Sequence, residues 1–210
     1  MTSPVSGAVR RRRADSLARR RQQEASTARE RILATADRLF YGNGIQAIGV
    51  QRLIEESRVT RVTFYRHFPS KDDLVLAYLE QRKQLARAAV QAIIDRHPGD
   101  PRGALHEWGV AFTEDGIVDE YRGCTFVNAS AEYGRPDHPV REMAIDQRRW
   151  VNATTQALLQ AAGHPDPAAA TRVLTALRTG YVYSLGLEED TGWAEQFLAA
   201  YDRLIDQRRG

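Results

Sequence analysis

Val59-Thr-Arg-Val-Thr-Phe-Tyr-Arg-His-Phe-Pro-Ser-Lys71 is the stretch on which the reading of this chain turns. Thr60 is a predicted N-cap, so a short helix is expected from about Arg61 to Phe68. Pro69 disfavours helical geometry in the residue before it, and Ser70-Lys-Asp-Asp73 is a capping box opening a long helix through about Asp95. Upstream, a short helix runs from about Val50 to Ser57 and buries Leu53 and Ile54. Two short helices separated by a tight turn match a helix-turn-helix. Val59, Phe64 and Phe68 are expected in the core, leaving Arg61, Val62, Thr63, Arg66 and His67 to project outward. The chemistry suits a DNA groove: arginine holds guanine through two hydrogen bonds, threonine offers thymine a methyl, and tyrosine and histidine donate to phosphate. Lys71, in the first turn of the next helix, adds a cation beside exposed backbone N–H donors.

Working outward, Thr27-Ala-Arg-Glu30 is another capping box, and Ile32, Leu33, Ala36, Leu39 and Phe40 share one helical face until Gly42-Asn43-Gly44. The helix opened by Ser70 presents Leu74, Tyr78, Leu85, Ala89 and Ile93; at about 1.5 Å per residue it spans about 37 Å as a connecting rod. Downstream, Ala104, Leu105, Trp108, Ala111 and Phe112 mark a fifth helix and residues 125–133 a sixth. Pro139 starts a seventh, with Val140, Met143, Trp150, Val151, Thr154 and Leu158 on its face. An eighth presents Val173, Leu174, Leu177, Tyr181 and Leu185, and a ninth Trp193, Phe197, Tyr201, Leu204 and Ile205. No stretch alternates as strands do. The expected fold is all-α, with about nine helices: a three-helix helix-turn-helix head joined by a long fourth helix to a C-terminal bundle. The expected domains are a basic arm (1–26), the head (27–71) and an effector-binding and dimerisation domain (72–210).

The 210 residues carry a net charge of +3, distributed unevenly. Residues 1–26 hold +5, residues 27–71 hold +4, and the remainder holds −6. A basic front attracts polyanions through counterion release, and an acidic back is repelled by the same partner. Hydrophobic residues make up 42% and charged residues 27%, which excludes a disordered chain. No uncharged apolar run approaches the roughly 18 residues of a membrane span, and no apolar core follows the N-terminal arginines as a signal peptide requires. One cysteine, Cys124, makes no internal disulfide and no zinc cluster. A cytoplasmic, nucleoid-associated protein without metal or cofactor is expected.

Thr27-Ala-Arg-Glu-Arg-Ile-Leu-Ala-Thr-Ala-Asp-Arg-Leu-Phe40 and the stretch from Val59 to Lys71 resemble the head of the TetR family of repressors, over about residues 27–80. The resemblance implies that Arg61, Val62 and Thr63 meet base edges. Thr60, Tyr65, His67 and Lys71 meet phosphates, Arg66 either, and Gln51 and Arg52 approach the backbone. Two positions depart from the family pattern. Arg58 stands where a glycine is usual, which predicts a left-handed residue, and Val62 stands where a small residue is common. Arg10, Arg11, Arg12 and Arg13, with Arg19 to Arg21, read as an arm that enters the minor groove or as a tail that raises nonspecific affinity.

The resemblance also implies a homodimer on double-stranded operator DNA, paired through the last two helices, with Leu174, Leu177, Tyr181, Phe197, Tyr201 and Leu204 in the seam. It implies a small, largely apolar effector as well. Tyr121-Arg-Gly-Cys-Thr-Phe-Val-Asn-Ala-Ser-Ala-Glu132 resembles one branch of that family. Trp108, Phe112, Phe126, Trp150 and Tyr181 are expected to wall the pocket, with Cys124, Asn128 and Thr154 as polar handles. An enzyme would need more: Glu132, Asp137, His138 and Glu142 are poorly spaced for a metal or acid/base site, and no zinc-protease, phosphate-loop, dinucleotide or nucleophile-elbow motif is present. Pro136 and Pro139 place Asp137 and His138 in a loop where Asp commonly caps. The alternatives are a helical interaction adapter, in which the basic helix is dispensable, and a small helical enzyme with a basic tail.

Overall fold

Ile32, Leu33, Ala36, Leu39 and Phe40 are all buried in the computed structural model of the chain, which describes residues 27–115, 123–185 and 192–207. They lie on α1 (27–43), which ends where Gly44 takes a left-handed φ of 89° and returns its N–H to the Phe40 carbonyl at 3.0 Å. After it come α2 (Val50–Ser57), α3 (Arg61–His67) and α4 (Lys71–Arg96). Then follow α5 (Pro101–Asp115), α6 (Thr125–Glu132), α7 (Pro139–Ala161), α8 (Pro167–Leu185) and α9 (Trp193–Ile205). Every regular element among the described residues is helical. None of these helices is long and apolar enough to cross a membrane.

The contacts divide the chain into two units between Tyr78 and Leu79, inside α4. In the first unit, Leu53, Phe64, Leu74 and Val75 have no exposed surface, and Tyr78 meets Phe40 edge to face at 5.6 Å. The first two turns of α4 thus fill the core of the head, and the boundary expected at residue 71 falls before them. Ser70 and Asp73 make the capping box reciprocally. The Asp73 N–H donates to the Ser70 hydroxyl at 3.1 Å, and the Ser70 N–H donates to the Asp73 carboxylate at 2.9 Å. Between α2 and α3, Arg58 is left-handed (φ 53°, ψ 44°), as the resemblance, with its usual glycine at that position, implies. Its N–H and that of Val59 reach back to the Glu55 and Ile54 carbonyls, closing α2.

Later in α4 the buried face differs from the expected one. Leu85 is 59% exposed and Ala89 is exposed, whereas Leu79, Val90 and Ile93 are buried. At about 100° per residue Val90 and Ile93 lie within about 40° of Leu79, whereas Leu85 lies about 120° around the helix from it, so the covered stripe passes through Leu79 and leaves Leu85 outside. On α7, Val140, Ala144, Gln147, Thr155 and Leu159 are buried, while Met143, Trp150, Val151, Thr154 and Leu158 are only half-covered. Arg87 of α4 explains part of this offset. Its Nε donates to Gln147 Oε1 at 3.0 Å, its Nη2 pairs with Asp146 at 3.0 Å, and its guanidinium covers the Trp150 ring at 5.0 Å. On α8, Val173 is 49% exposed against expectation.

Two apolar clusters build the second unit. Leu105, Leu159, Leu174, Tyr181, Phe197, Tyr201 and Ile205 belong to one, Val90, Ile93, Ala104 and Trp108 to the other, and Phe112 and Leu158 touch both. Gly109 lets α5 and α9 close together, because a Cβ there would stand 2.9 Å from the Tyr201 ring. His164 ties the α7–α8 turn to the end of α9: its Nε2 donates to the Leu204 carbonyl at 2.9 Å and its Nδ1 accepts from the Asp166 N–H at 3.1 Å.

The left-handed Arg58 yields a stability prediction. An L-residue pays about 1–2 kcal/mol for that conformation, and glycine does not, although glycine loses more entropy on folding. Arg58→Gly is expected to stabilise the head by up to about 1 kcal/mol, seen as a higher urea midpoint. A lower midpoint would show that the arginine side chain outweighs the backbone cost.

Candidate nucleic-acid interface

α3 is only seven residues long and is shaped by its ends. The Thr60 hydroxyl accepts from the Thr63 N–H at 3.1 Å, and the Thr60 and Thr63 hydroxyls lie 2.9 Å apart. One hydroxyl of the pair donates to the other, so one O–H remains for an outside acceptor. At the far end the Phe68 N–H returns to the Phe64 carbonyl at 2.9 Å. Phe64 and Phe68 are buried with ring centroids 6.3 Å apart, and Val59 is half-buried. With that side taken, Arg61, Val62, Tyr65 and Arg66 are exposed, Val62 at 79%. An apolar side chain held this far into water at the tip of a basic helix suits the methyl of a thymine.

The charged groups around α3 are ordered by neighbours. Arg61 lies over the Tyr65 ring at 5.6 Å and Arg29 over Phe68 at 5.3 Å. Gln51 donates to Glu55 at 2.7 Å. Arg52 and Arg38 share one carboxylate, Glu56, at 2.8 and 2.6 Å. These two hydrogen bonds hold the Glu56 carboxyl below the usual carboxylate range. Arg38 escaped the sequence reading because its partner lies 18 residues away, outside any helical period. Burial, then the charges of Arg66 and Arg29, holds the His67 imidazole below its ordinary range, so it is neutral near pH 7. Its Nε2 is sealed from solvent without a partner, so Nε2 does not reach a phosphate as the ring now lies. Lys71 is half-buried in the first turn of α4. The Arg10 to Arg13 cluster lies outside the described residues.

The other expected sites fare differently. Trp108 and Tyr181 are core residues, and Tyr181 is stacked on Phe197 at 4.4 Å. Phe112, Cys124, Phe126, Trp150 and Thr154 are half-buried and Asn128 is exposed. A groove of about 500 Å³ opens at the α7–α8 turn, between Gln156, Gln160, His164 and Ala168, and none of those eight residues lines it. The proposed seam needs a larger correction. Leu174, Tyr181, Phe197 and Tyr201 are at most 4% exposed, consumed by the core of their own unit, with Leu177 and Leu204 packed against it. A side chain already covered inside one chain offers no surface to another. Asp137 is not the cap of α7 either: it pairs with Arg135 at 2.9 Å, while His138 accepts from the Val140 N–H at 3.3 Å and lies 4.4 Å from the Tyr133 ring. Among the described residues no three of His, Cys, Asp and Glu gather as metal ligands would.

Residues 32–78 match the model of the bacterial regulatory proteins of the tetR family. The HTH-type transcriptional regulator AcrR of Shigella flexneri is 30% identical over 106 residues, covering 50% of this chain and 49% of that protein. The chain thus spans about half the length of that curated relative. Among solved structures, SCO4454, a TetR-family transcriptional regulator from Streptomyces coelicolor, is 38% identical, with a TM-score of 0.82 over 86% of this chain and 95% of the other. Reduced E. coli NemR shares the fold, with a TM-score of 0.75 at 22% identity over 84% and 95%.

The geometry of α3 predicts what its cap contributes. Thr60→Ala is expected to cost the head about 1 kcal/mol and Thr60→Ser only a few tenths, read from urea denaturation followed by circular dichroism. Equal losses for both would assign the effect to the threonine methyl.

Proposed function

Because the chain belongs to the TetR family of transcriptional regulators, we propose that it is a homodimeric repressor, released from an inverted-repeat operator by a small, largely apolar molecule. The observation that carries this reading is α3 itself. Buried Phe64 and Phe68 fix the orientation of a helix whose opposite side is basic and carries Val62 outermost. In this reading Arg61, Val62 and Thr63 meet base edges. Thr60, Tyr65, His67 and Lys71 meet phosphates, Arg66 serves either, and Gln51 and Arg52 lie along the backbone. Arg52 brings Glu56 with it, which tempers its pull on phosphate.

Dimerisation draws support from a different side of α8 than the periodicity first indicated. Val173, Ala176, Gly180 and Tyr183 are exposed and fall on one helical face, with Tyr183 at 70%. Two heads so paired meet successive major grooves about 34–36 Å apart. Effector coupling draws support from α4, one unbroken helix carrying Lys71 in its first turn and Val90 and Ile93 in the effector unit. A ligand that prefers the released state tenfold weakens the operator by about 1.4 kcal/mol, and the operator weakens the ligand equally.

Two measurements test this reading. Arg61→Ala is expected to relax base preference at one position per half-site at a cost of about 1–3 kcal/mol, whereas Lys71→Ala weakens all sequences alike and flattens the salt slope by about one. Unchanged base preference in Arg61→Ala would remove α3 from the groove. Tyr183→Arg is expected to give monomers in sedimentation at micromolar concentration with reduced operator affinity. A parent chain that sediments as a monomer under the same conditions would refute the dimer.

A further inference from the structure

Arg178 of α8 is a basic side chain that lacks an acceptor for its buried Nε among the described residues of the second unit. Its guanidinium lies over the Phe112 ring, 4.4 Å from the centroid. Its Nε is buried and has no hydrogen-bond partner. No carboxylate among the described residues forms an ion pair with it. Asp202, beside the buried Tyr201 whose phenol feels the Arg178 charge, is engaged by His106 at 2.8 Å. A guanidinium stays protonated at any physiological pH, so burial cannot relieve this site by neutralising it. A desolvated N–H without an acceptor is costly, and the chain keeps the arginine all the same.

We propose that Arg178 anchors the carboxylate of the effector, whose apolar body lies beside Phe112; this rests on the ligand-responsive reading above and names the class of ligand. With the guanidinium lying over the Phe112 ring and Nε closed off, the two terminal nitrogens are the donors left to it. They form a planar fork that a carboxylate fits end-on through two charge-assisted hydrogen bonds. Phe112 touches both apolar clusters of the unit and lies 6.0 Å from Trp108, which makes the indole a reporter of occupancy. A neutral apolar ligand would leave the cation as unpaired as it is without one, so the site selects acids over their neutral isosteres.

The test compares the full chain with Arg178→Met, which keeps an apolar stem and removes the charge. Without ligand, Arg178→Met is expected to melt about 2 °C or more above the parent, since it deletes a half-buried cation whose Nε is sealed from water without an acceptor; a lower melting temperature would show that the arginine serves the fold and would overturn the proposal. The probes are benzoate, 4-phenylbutyrate, hexanoate and decanoate, each paired with its primary amide and titrated against tryptophan fluorescence. At least one acid is expected to bind the parent ten times or more tightly than its amide, and that preference should vanish in Arg178→Met. No acid preference anywhere in the set, or a preference that survives the substitution, overturns the assignment. Retention of the parent on DNA from upstream of its own gene is measured in parallel. Loss of that retention with the acid preference intact would sink the regulator reading and leave the carboxylate site standing.

Discussion

A helix of seven residues has almost no stability of its own in water, so α3 exists because its neighbours hold it. Phe64 supplies the anchor from within, with no exposed surface, and Thr60 supplies the cap from before it. The left-handed Arg58 sets the angle at which the chain enters. These three constraints leave one side of α3 facing out, and every functional statement about Arg61, Val62, Tyr65 and Arg66 depends on that orientation. The first turns of α4 complete the support through Leu74, Val75 and Tyr78. The residues that fold the head are thus the ones that set which side chains α3 presents to solvent.

Electrostatics in the head is organised by sharing and stacking. Glu56 holds two arginines, so α1 and α2 are bridged while a net positive charge remains for a polyanion. Arg61 and Arg29 lie over aromatic rings, which narrows their freedom before any partner arrives. An arginine ordered in advance loses less entropy on binding than a free one. His67, uncharged near neutral pH, contributes shape and hydrogen bonding to this surface before it contributes charge.

The second unit shows the opposite balance. Its aromatic residues are spent on one another: Tyr181 on Phe197, Phe197 on Tyr201, Trp108 on Phe112. Its polar residues are largely satisfied, as His164 and Gln147 illustrate. Against that background Arg178 stands out, because its Nε is sealed from water without an acceptor. The same accounting governs the exposed face of α8, where Tyr183 and Val173 leave apolar surface in water that a second chain would cover.

What the sequence by itself determined is local. The capping pair Ser70 and Asp73, the cap Thr60 and the helix stops at Gly44 and Gly163 are read within a few residues, because a helix end is satisfied by its immediate neighbours, and the left-handed Arg58 is read from the family's usual glycine at that place. The three-helix head was legible for the same reason, since α1 to α3 each carry an apolar stripe between readable ends, although the first turns of α4 complete its core. The tertiary structure decided which stripe of each longer helix is covered. Leu85, Ala89 and Val173 have the right period and are exposed, while Leu174, Tyr181, Phe197 and Tyr201, equally apolar, are consumed inside one chain. Periodicity says that a helix has an apolar face but not which neighbour will take it, and a helix in a bundle is packed from several directions at once. The pairing of Arg38 with Glu56, of Arg87 with Gln147, and the isolation of Arg178 follow from the same packing and leave no periodic trace in the chain.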